Sequence, residues 1–479
     1  MLNKKQLLKE FFIYGLGSGL SRFFGLLVMP FFTRVLDQSQ YGALDLSLSL
    51  VIMVSLIFSL QTESGMLRFY YEAEEKGEQI VLLSTVFWIW TGMAFLASFS
   101  LIILADYWAR FIYSDIDKLG PTWVRLLGCN VFFHIQFHQL IHLLRLQHRA
   151  ILFTTINSLP IVLFIFTSII ASYLKPGVAS VLASLAFSNA LSFLVLFIFC
   201  HKYIKFIFSR LYLKKVLGYS LPMVPSVMLN WGQRNGIRFV IIAFLSMSAM
   251  GLYGVADKMA MVVTMINRAF GQAWGPQSVK IMNREGSLGV YAQVFNFYIG
   301  ATLICVTSLL IINPFALRVL VPEPYWDACN LSPLLICGTA LLGMNTFAAL
   351  GNIISKKTYR NLPGFTAGLV IILVGASWML SISPSLQRIG EAFIVGCLIC
   401  NIVLLKLSNG VVRIPYRPFT LYSGWATITL LGLVASRSYT SLIIMTPFVF
   451  ALAILIVGSK QFKEFVMRIV SFLTRYSDD

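Results

Sequence analysis

An all-α polytopic membrane protein is the fold class this sequence predicts: about fourteen transmembrane helices, in two six-helix lobes around a central cavity plus two extra C-terminal helices. Three observations carry the prediction. Some fourteen stretches are apolar over roughly 17 to 27 residues, the length that crosses a bilayer. The 479 residues are 58% hydrophobic and only 12% charged, with a mean hydropathy of +0.80, which excludes a water-soluble enzyme of this size. Finally, Leu36, five residues and Gly42 at the second apolar stretch are matched by Leu245, five residues and Gly251 at the eighth. Repeated halves of one orientation are how many carriers build two lobes that rock about a central site.

In order, the predicted spans lie near residues 11–33, 43–67, 80–105, 122–144, 151–173, 178–200, 217–245, 249–272, 290–313, 329–350, 361–382, 386–407, 419–436 and 440–458. The first follows Lys4, Lys5 and Lys9, is too long and too polar for a signal peptide, and lacks a small-residue cleavage site, so it should stay attached as helix one. With the N-terminus in the cytosol, about two dozen loop lysines and arginines fall inside and about half a dozen outside, which sets the orientation and an even number of spans. Both termini are then cytoplasmic. The basic connection 201–216 divides an N-lobe (1–200, helices 1–6) from a C-lobe (217–407, helices 7–12). Residues 408–479 supply helices 13 and 14 and a basic amphipathic tail, in which Phe462, Phe465, Ile469 and Phe472 recur at helical spacing along the inner surface.

A net charge of +18 could suggest nucleic acid, but the cations cluster between apolar spans, where they attract anionic membrane lipid. Nucleic acid is therefore not an expected partner. Seven cysteines, odd in number and within or at the ends of spans, read as packing residues, including Cys397 and Cys400 one turn apart. The outer connections near 106–121 and 313–328 are too short to fold as a domain, which weighs against a glycosyltransferase or polymerase. No phosphate-cradling G-x-x-x-x-G-K-S/T loop is present. No cofactor or metal is expected, and energy would come from a gradient of Na+ or H+ or of the substrate.

Cations inside the spans carry the chemistry, because a charge facing hydrocarbon costs enough that it should line a wet path. Helix seven opens Tyr219-Ser-Leu-Pro222-Met-Val-Pro225, whose prolines imply a bend and freed carbonyls. Beyond them Asn230, Arg234 and Arg238 share one face at i, i+4 and i+8, with snorkelling to the outer interface as the alternative for Arg238. Helix eight carries Asp257, Met261, Thr264 and Arg268 as a stripe, flanked by Lys258 and Asn267. Asp257 would pair with a cation or bind a coupling ion, and Arg268 would line the path or snorkel inward. Helix one sets Arg22 among Gly15, Ser18 and Gly25, a small-residue face that lets a neighbour approach. Helix four has His134, His138 and His142 on one face. The outer two are about 12 Å apart and cannot share a metal ion, which leaves proton coupling, headgroup contact and interhelical hydrogen bonding open. Asp45 and Glu63 are ambiguous, and Glu391 should pair with Arg388 one turn away.

Several segments together resemble the polysaccharide and oligosaccharide (O-antigen, Wzx-type) flippase family of the multidrug, oligosaccharidyl-lipid and polysaccharide exporter superfamily. They are Gly25 to Leu50, with Arg34-Val-Leu-Asp and Tyr41-Gly-Ala; Glu63-Ser-Gly-Met-Leu-Arg68-Phe-Tyr-Tyr-Glu72; and Leu144-Arg-Leu-Gln-His-Arg149. Tyr219-Ser-Leu-Pro222 follows, with Gly251-Leu-Tyr-Gly-Val-Ala-Asp-Lys258 and Ala273-Trp-Gly-Pro276. The family's helix seven often pairs an Asp with the Arg. Here Gly236-Ile237-Arg238 keeps the arginine without the acid, so a coupling role for that acid does not carry over. The resemblance implies movement of undecaprenyl-pyrophosphate-linked oligosaccharide from the cytosolic to the periplasmic leaflet of a bacterial inner membrane, with other polysaccharide-assembly membrane proteins as partners. Arg22, Arg234 and Lys258 would hold the pyrophosphate, with Arg238 and Arg268 at the outer and inner ends of the route. A cation-coupled drug or small-molecule antiporter of the same superfamily is the alternative, and a membrane acyltransferase or polymerase using a helix-four histidine is a third.

Overall fold

The computed structural model describes residues 25, 28–113, 120–147, 149–282, 286–355 and 357–457, and the regular structure within them is all helical. A short helical stretch at 28–35 (α1) is followed by α2 (Gln38–Phe58), α3 (Thr62–Glu75), α4 (Gln79–Ile103), α5 (Ala105–Ile112), α6 (Gly120–Leu146), α7 (Ala150–Leu174) and α8 (Val178–Cys200). Next come α9 (Arg210–Ser220), α10 (Val224–Asn235), α11 (Ile237–Phe244), α12 (Met247–Ile281) and α13 (Ser287–Leu320). The last are α14 (Ala328–Ala348), α15 (Leu350–Ile354), α16 (Leu362–Ile382), α17 (Leu386–Asn409), α18 (Pro418–Ala435) and α19 (Tyr439–Val457).

Eleven helices among the described residues are long and apolar enough to cross a membrane, against about fourteen expected. They fall on the second, third, fifth, sixth and eighth to fourteenth predicted spans. Most of the first span lies outside the described residues, with Arg22, Gly15 and Ser18, as do His148, Arg284, Lys356 and the amphipathic tail. The fourth is α6, 27 residues long but diluted by three histidines and two arginines. The seventh is broken where its prolines predict: Leu221–Met223 forms a 3-10 turn, and Pro225 sits in the first turn of α10. Conversely, α12 and α13 run to 35 and 34 residues. At about 1.5 Å per residue they reach about 50 Å, well beyond a hydrocarbon core of about 30 Å.

Two compact units divide the chain, residues 1–254 and 255–479, with the boundary inside α12. In the first, α6 is the central helix and packs on α2, α4, α5, α7 and α8. Trp90, Phe137 and Leu144 are buried at its heart, and the Trp90 indole donates to Thr62 Oγ1 at 2.6 Å. Part of the basic connection is pinned to α4. The Lys205 amide donates to Ser84 Oγ at 2.9 Å, the Trp88 indole donates to the Lys205 carbonyl at 2.9 Å, and Phe206 stacks on Trp88 at 4.8 Å. Helix α9, capped by Ser209, then docks on α3. Glu72 accepts from Lys215 at 3.0 Å and Lys76 at 3.3 Å, and the Tyr212 phenol donates to Glu78 at 2.6 Å. Burial, then that hydrogen bond, pushes the Tyr212 phenol up to about 12.

In the second unit α14 is central: 83% of its apolar stretch is buried, against 22% for α16 and α19. Small residues make that possible, as a Cβ on Gly338 would collide with the Phe393 ring. Buried hydrogen bonds link the helices of this unit, among them Asn313 with Ser332 at 2.8 Å and Asn401 Nδ2 with the Leu341 carbonyl at 2.9 Å. All seven cysteines are free, and Cys200, Cys337, Cys397 and Cys400 are buried. Glu391 pairs with Arg388 at 3.0 Å, as the spacing predicts, and also takes Arg437 at 3.3 Å.

Two expectations follow. Gly338→Val overpacks the α14–α17 contact and should cost about 1–3 kcal/mol, read as a lowered unfolding temperature in detergent. Hydrogen bonds from Lys215 and Lys76 hold the Glu72 carboxyl below the usual range, so its contribution is present above the ordinary value of about 4.3 and is lost as pH falls through the lowered one. Amide exchange in α9 should therefore rise below about pH 4 in the wild type, and this acid step should vanish in Glu72→Gln.

Candidate functional site

The repeat read from the sequence is a repeat of structure. Asp37 caps α2, accepting from the Gln40 amide at 2.8 Å, and Ser246 caps α12, accepting from the Ala249 amide at 3.2 Å. In both helices the leucine sits immediately before the cap, and the glycine is the fifth helical residue. The two glycines then meet. A Cβ on Gly42 would collide with the Met247 carbonyl oxygen and lie 2.7 Å from the Gly251 nitrogen; one on Gly251 would collide with the Gln38 carbonyl oxygen. Each helix thus rests its first carbonyl on the other's glycine, a reciprocal close crossing that any side chain would block. Ser248 Oγ donates to Gln38 Oε1 at 2.6 Å across it.

One turn along α2 lies Asp45. Arg238 Nε donates to its Oδ2 at 2.9 Å, with the two side chains only 3% and 4% exposed. Arg238 Nη1 donates to Asn235 Oδ1 at 3.1 Å, and the guanidinium lies 5.0 Å from the Tyr253 ring centre. A Cβ on Gly254 would press on Asp45 at 3.1 Å, so this glycine leaves room for the carboxylate. The acid missing from Gly236-Ile237-Arg238 is therefore supplied by α2, 193 residues earlier. Arg238 is buried and neutralised rather than extended to the outer interface. Along the same face Arg234 is half-buried, its carbonyl accepting from the Tyr253 hydroxyl at 3.4 Å, and Asn230 is exposed.

The remaining helix-eight candidates lie in the second unit. Asp257 and Lys258 are half-buried and Arg268 is exposed. Beside Arg268, Asn267 accepts from the Tyr298 hydroxyl at 2.8 Å and donates to the Thr339 carbonyl at 3.1 Å, which fastens α12 to α13 and α14. Phe270 packs on Tyr298 at 4.7 Å. In the first unit His134 Nδ1 lies 2.9 Å from Ser55 Oγ, and the His134 and His138 ring centres are 4.2 Å apart. Two residues left open in the sequence gain definite settings: Asp45 as the partner of Arg238, and Glu63 beside Gln139 of α6.

Solved structures of similar fold include the lipid II flippase MurJ in an inward closed conformation, with TM-score 0.67 and 15% identity over 95% of this chain and 100% of that one. An inward-facing multidrug resistance MATE family transporter of the MOP superfamily gives 0.62 and 14% over 81% and 94%. A MOP superfamily transporter from Pyrococcus furiosus Vc1 gives 0.56 and 13% over 91% and 97%. The chain thus shares its fold with these MOP superfamily and flippase structures. No curated protein sequence matches the chain. The sequence profile of the polysaccharide biosynthesis protein family matches residues 31–327, and the chain belongs to that family.

Removing the acid tests the buried pair. Asp45→Ala leaves Arg238 uncompensated and should destabilise the protein by about 3–5 kcal/mol. The double change Asp45→Leu/Arg238→Met should recover most of that loss, both being read from unfolding temperature in detergent.

Proposed function

We propose that this chain is a flippase. It moves undecaprenyl-pyrophosphate-linked oligosaccharide units from the cytosolic to the periplasmic leaflet of a bacterial inner membrane, for cell-surface polysaccharide assembly. What carries the reading is membership of the polysaccharide biosynthesis family over residues 31–327, in a chain whose predicted spans hold several cations. The isoprenoid tail of such a substrate stays in lipid, whereas its pyrophosphate and sugars do not: stripping water from an ion costs on the order of tens of kcal/mol in a low dielectric. Fixed cations in a wet path offset that cost. Arg22, Arg234 and Lys258 hold the pyrophosphate, Asn230 contacts the sugars or phosphate beside them, and Arg268 marks the inner end. Arg238 marks the outer end, where its charge is committed to Asp45. Twelve of the fourteen spans form lobes 1–200 and 217–407, which alternate access to the two faces, and spans 13 and 14 follow them. Asp257, His134 and His138 are the candidates for coupling to Na+ or H+.

A second reading, a cation-coupled drug or small-molecule antiporter, is favoured by the number of similar folds that are multidrug transporters, the MATE multidrug transporter DinF-BH among them. The acyltransferase or polymerase reading loses ground to the transport fold.

Depletion of the protein in its native cell should cause a sugar-loaded polyprenyl lipid to build up on the inner leaflet. Arg22→Ala or Arg234→Ala, expressed in that cell, should abolish export while the protein still inserts. Normal lipid levels together with a gain in drug sensitivity would select the antiporter instead.

A further inference from the structure

Residues 201–214 form an apolar and basic ledge that the cationic path does not use. After a 3-10 turn at His201–Tyr203 the chain runs without helix from Ile204 to Ser209. Non-helical backbone beside a bilayer needs partners for its polar groups, and α4 provides them. Besides the Lys205 bonds to Ser84 and Trp88, the Ser209 amide donates to Thr85 Oγ1 at 3.0 Å. Ser84, Thr85 and Trp88 are the sixth, seventh and tenth residues of a 25-residue helix that is apolar enough to cross a membrane. At about 1.5 Å per residue they lie about 8 to 14 Å from its first residue. The whole helix is about 37 Å long, so centred on a hydrocarbon core of about 30 Å it overruns each side by only about 4 Å. The segment bonded to these three side chains is therefore held at the level where headgroups meet acyl chains.

Helix α4 also fixes which way the ledge looks. Its exposed apolar side chains Phe95, Leu96, Phe99 and Ile103 share one face, and Trp88 lies on that face two turns before Phe95. Phe206, stacked on Trp88, continues the lipid-facing stripe toward the helix start. It is 94% exposed, with Phe208 at 52% and Leu211 at 62%. Large apolar side chains left this bare, on a segment otherwise hydrogen-bonded into place, mark a surface that something apolar covers. Charge completes the pattern. Lys202, Lys205, Arg210 and Lys214 are all exposed, and no carboxylate occurs between residues 201 and 220. The acids that α9 does reach are taken, Glu72 by Lys215 and Lys76 and Glu78 by the Tyr212 hydroxyl.

We propose that this ledge is a binding surface for anionic phospholipid. Phe206 and Phe208 insert among acyl chains beside Trp88, and Lys202, Lys205 and Arg210 take headgroup phosphates, each from whichever lipid lies against it. Two features favour lipid over a protein partner: the ledge is tied to α4 at bilayer depth, and its aromatic side chains extend a stripe that already faces hydrocarbon. The absence of acids selects the headgroup. Each lysine or arginine near an anionic leaflet adds attraction, and the arginine fork matches a phosphate. The inference goes beyond the transport reading and stands on the membrane fold alone, so it holds for a flippase and an antiporter alike.

Hydrogen exchange of the full-length protein in nanodiscs tests the surface without any transport substrate. With phosphatidylglycerol mixed into phosphatidylcholine, peptides covering residues 201–214 should exchange several-fold more slowly than in phosphatidylcholine alone. Raising salt from about 0.05 M to about 0.5 M should shrink the difference. A variant carrying Lys202→Gln, Lys205→Gln and Arg210→Gln should lose it while α4 and α8 exchange as in the wild type; Lys175→Gln, in the α7–α8 connection, should retain it. Phe206→Ser should speed exchange of the same peptides in both kinds of nanodisc, because insertion of a ring does not depend on lipid charge; if that change disturbs α4, Phe208→Ser replaces it. A wild type indifferent to phosphatidylglycerol, or a folded triple variant that still responds, overturns the lipid surface. Equal protection by inorganic phosphate in phosphatidylcholine nanodiscs also overturns it, in favour of a free anion. Folded Phe206→Ser and Phe208→Ser variants that exchange as the wild type remove the insertion.

Discussion

A guanidinium and a carboxylate held away from both water and lipid constrain much of the first unit. Either ion alone would cost several kcal/mol, and together they are tolerable only in good geometry with further hydrogen bonds. The 2.9 Å contact between Arg238 and Asp45, the bond to Asn235 and the Tyr253 ring face supply that geometry. They bring together α2, α10, α11 and the start of α12, and the approach is close enough only because Gly42, Gly251 and Gly254 lack side chains.

The interruptions of the helices follow a related logic. A buried backbone break leaves polar groups that need partners. At the starts of α2 and α12 the caps Asp37 and Ser246 satisfy amides. At the α2–α3 break the Ser59 hydroxyl accepts from the Gln61 amide, and the Thr62 hydroxyl, which accepts from the Trp90 indole, donates to the Ser59 carbonyl. Between α9 and α10 the prolines remove donors where the helix would have had to supply acceptors. Uninterrupted helices such as α7 and α16 turn large apolar side chains outward.

Features that depend on local spacing were legible in the sequence. Eleven apolar spans, the bend at Pro222 and Pro225, and the Arg388–Glu391 pair all follow from periodicity or from contacts within one turn. Contacts between distant residues were not. Asp45 and Arg238 are 193 positions apart, and nothing near either one names the other. The Leu36–Gly42 and Leu245–Gly251 repeat was the available signal, because glycines at equivalent helix positions are able to meet across a crossing. The break at Leu60 and Gln61 carries neither glycine nor proline, so local propensity is silent there and tertiary hydrogen bonds decide. The full lengths of α12 and α13 were hidden because a hydropathy reading ends where the apolar stretch ends, not where the helix does.

Three polar residues at four-residue spacing on one face thus meet three environments: Asn230 is exposed, Arg234 half-buried, Arg238 buried and paired. An ion pair of zero net charge exerts little pull on a distant anion. Arg238 thus spends its charge holding α2 against α11. An arginine within a span can in this way fasten neighbouring helices, provided it has a carboxylate of its own.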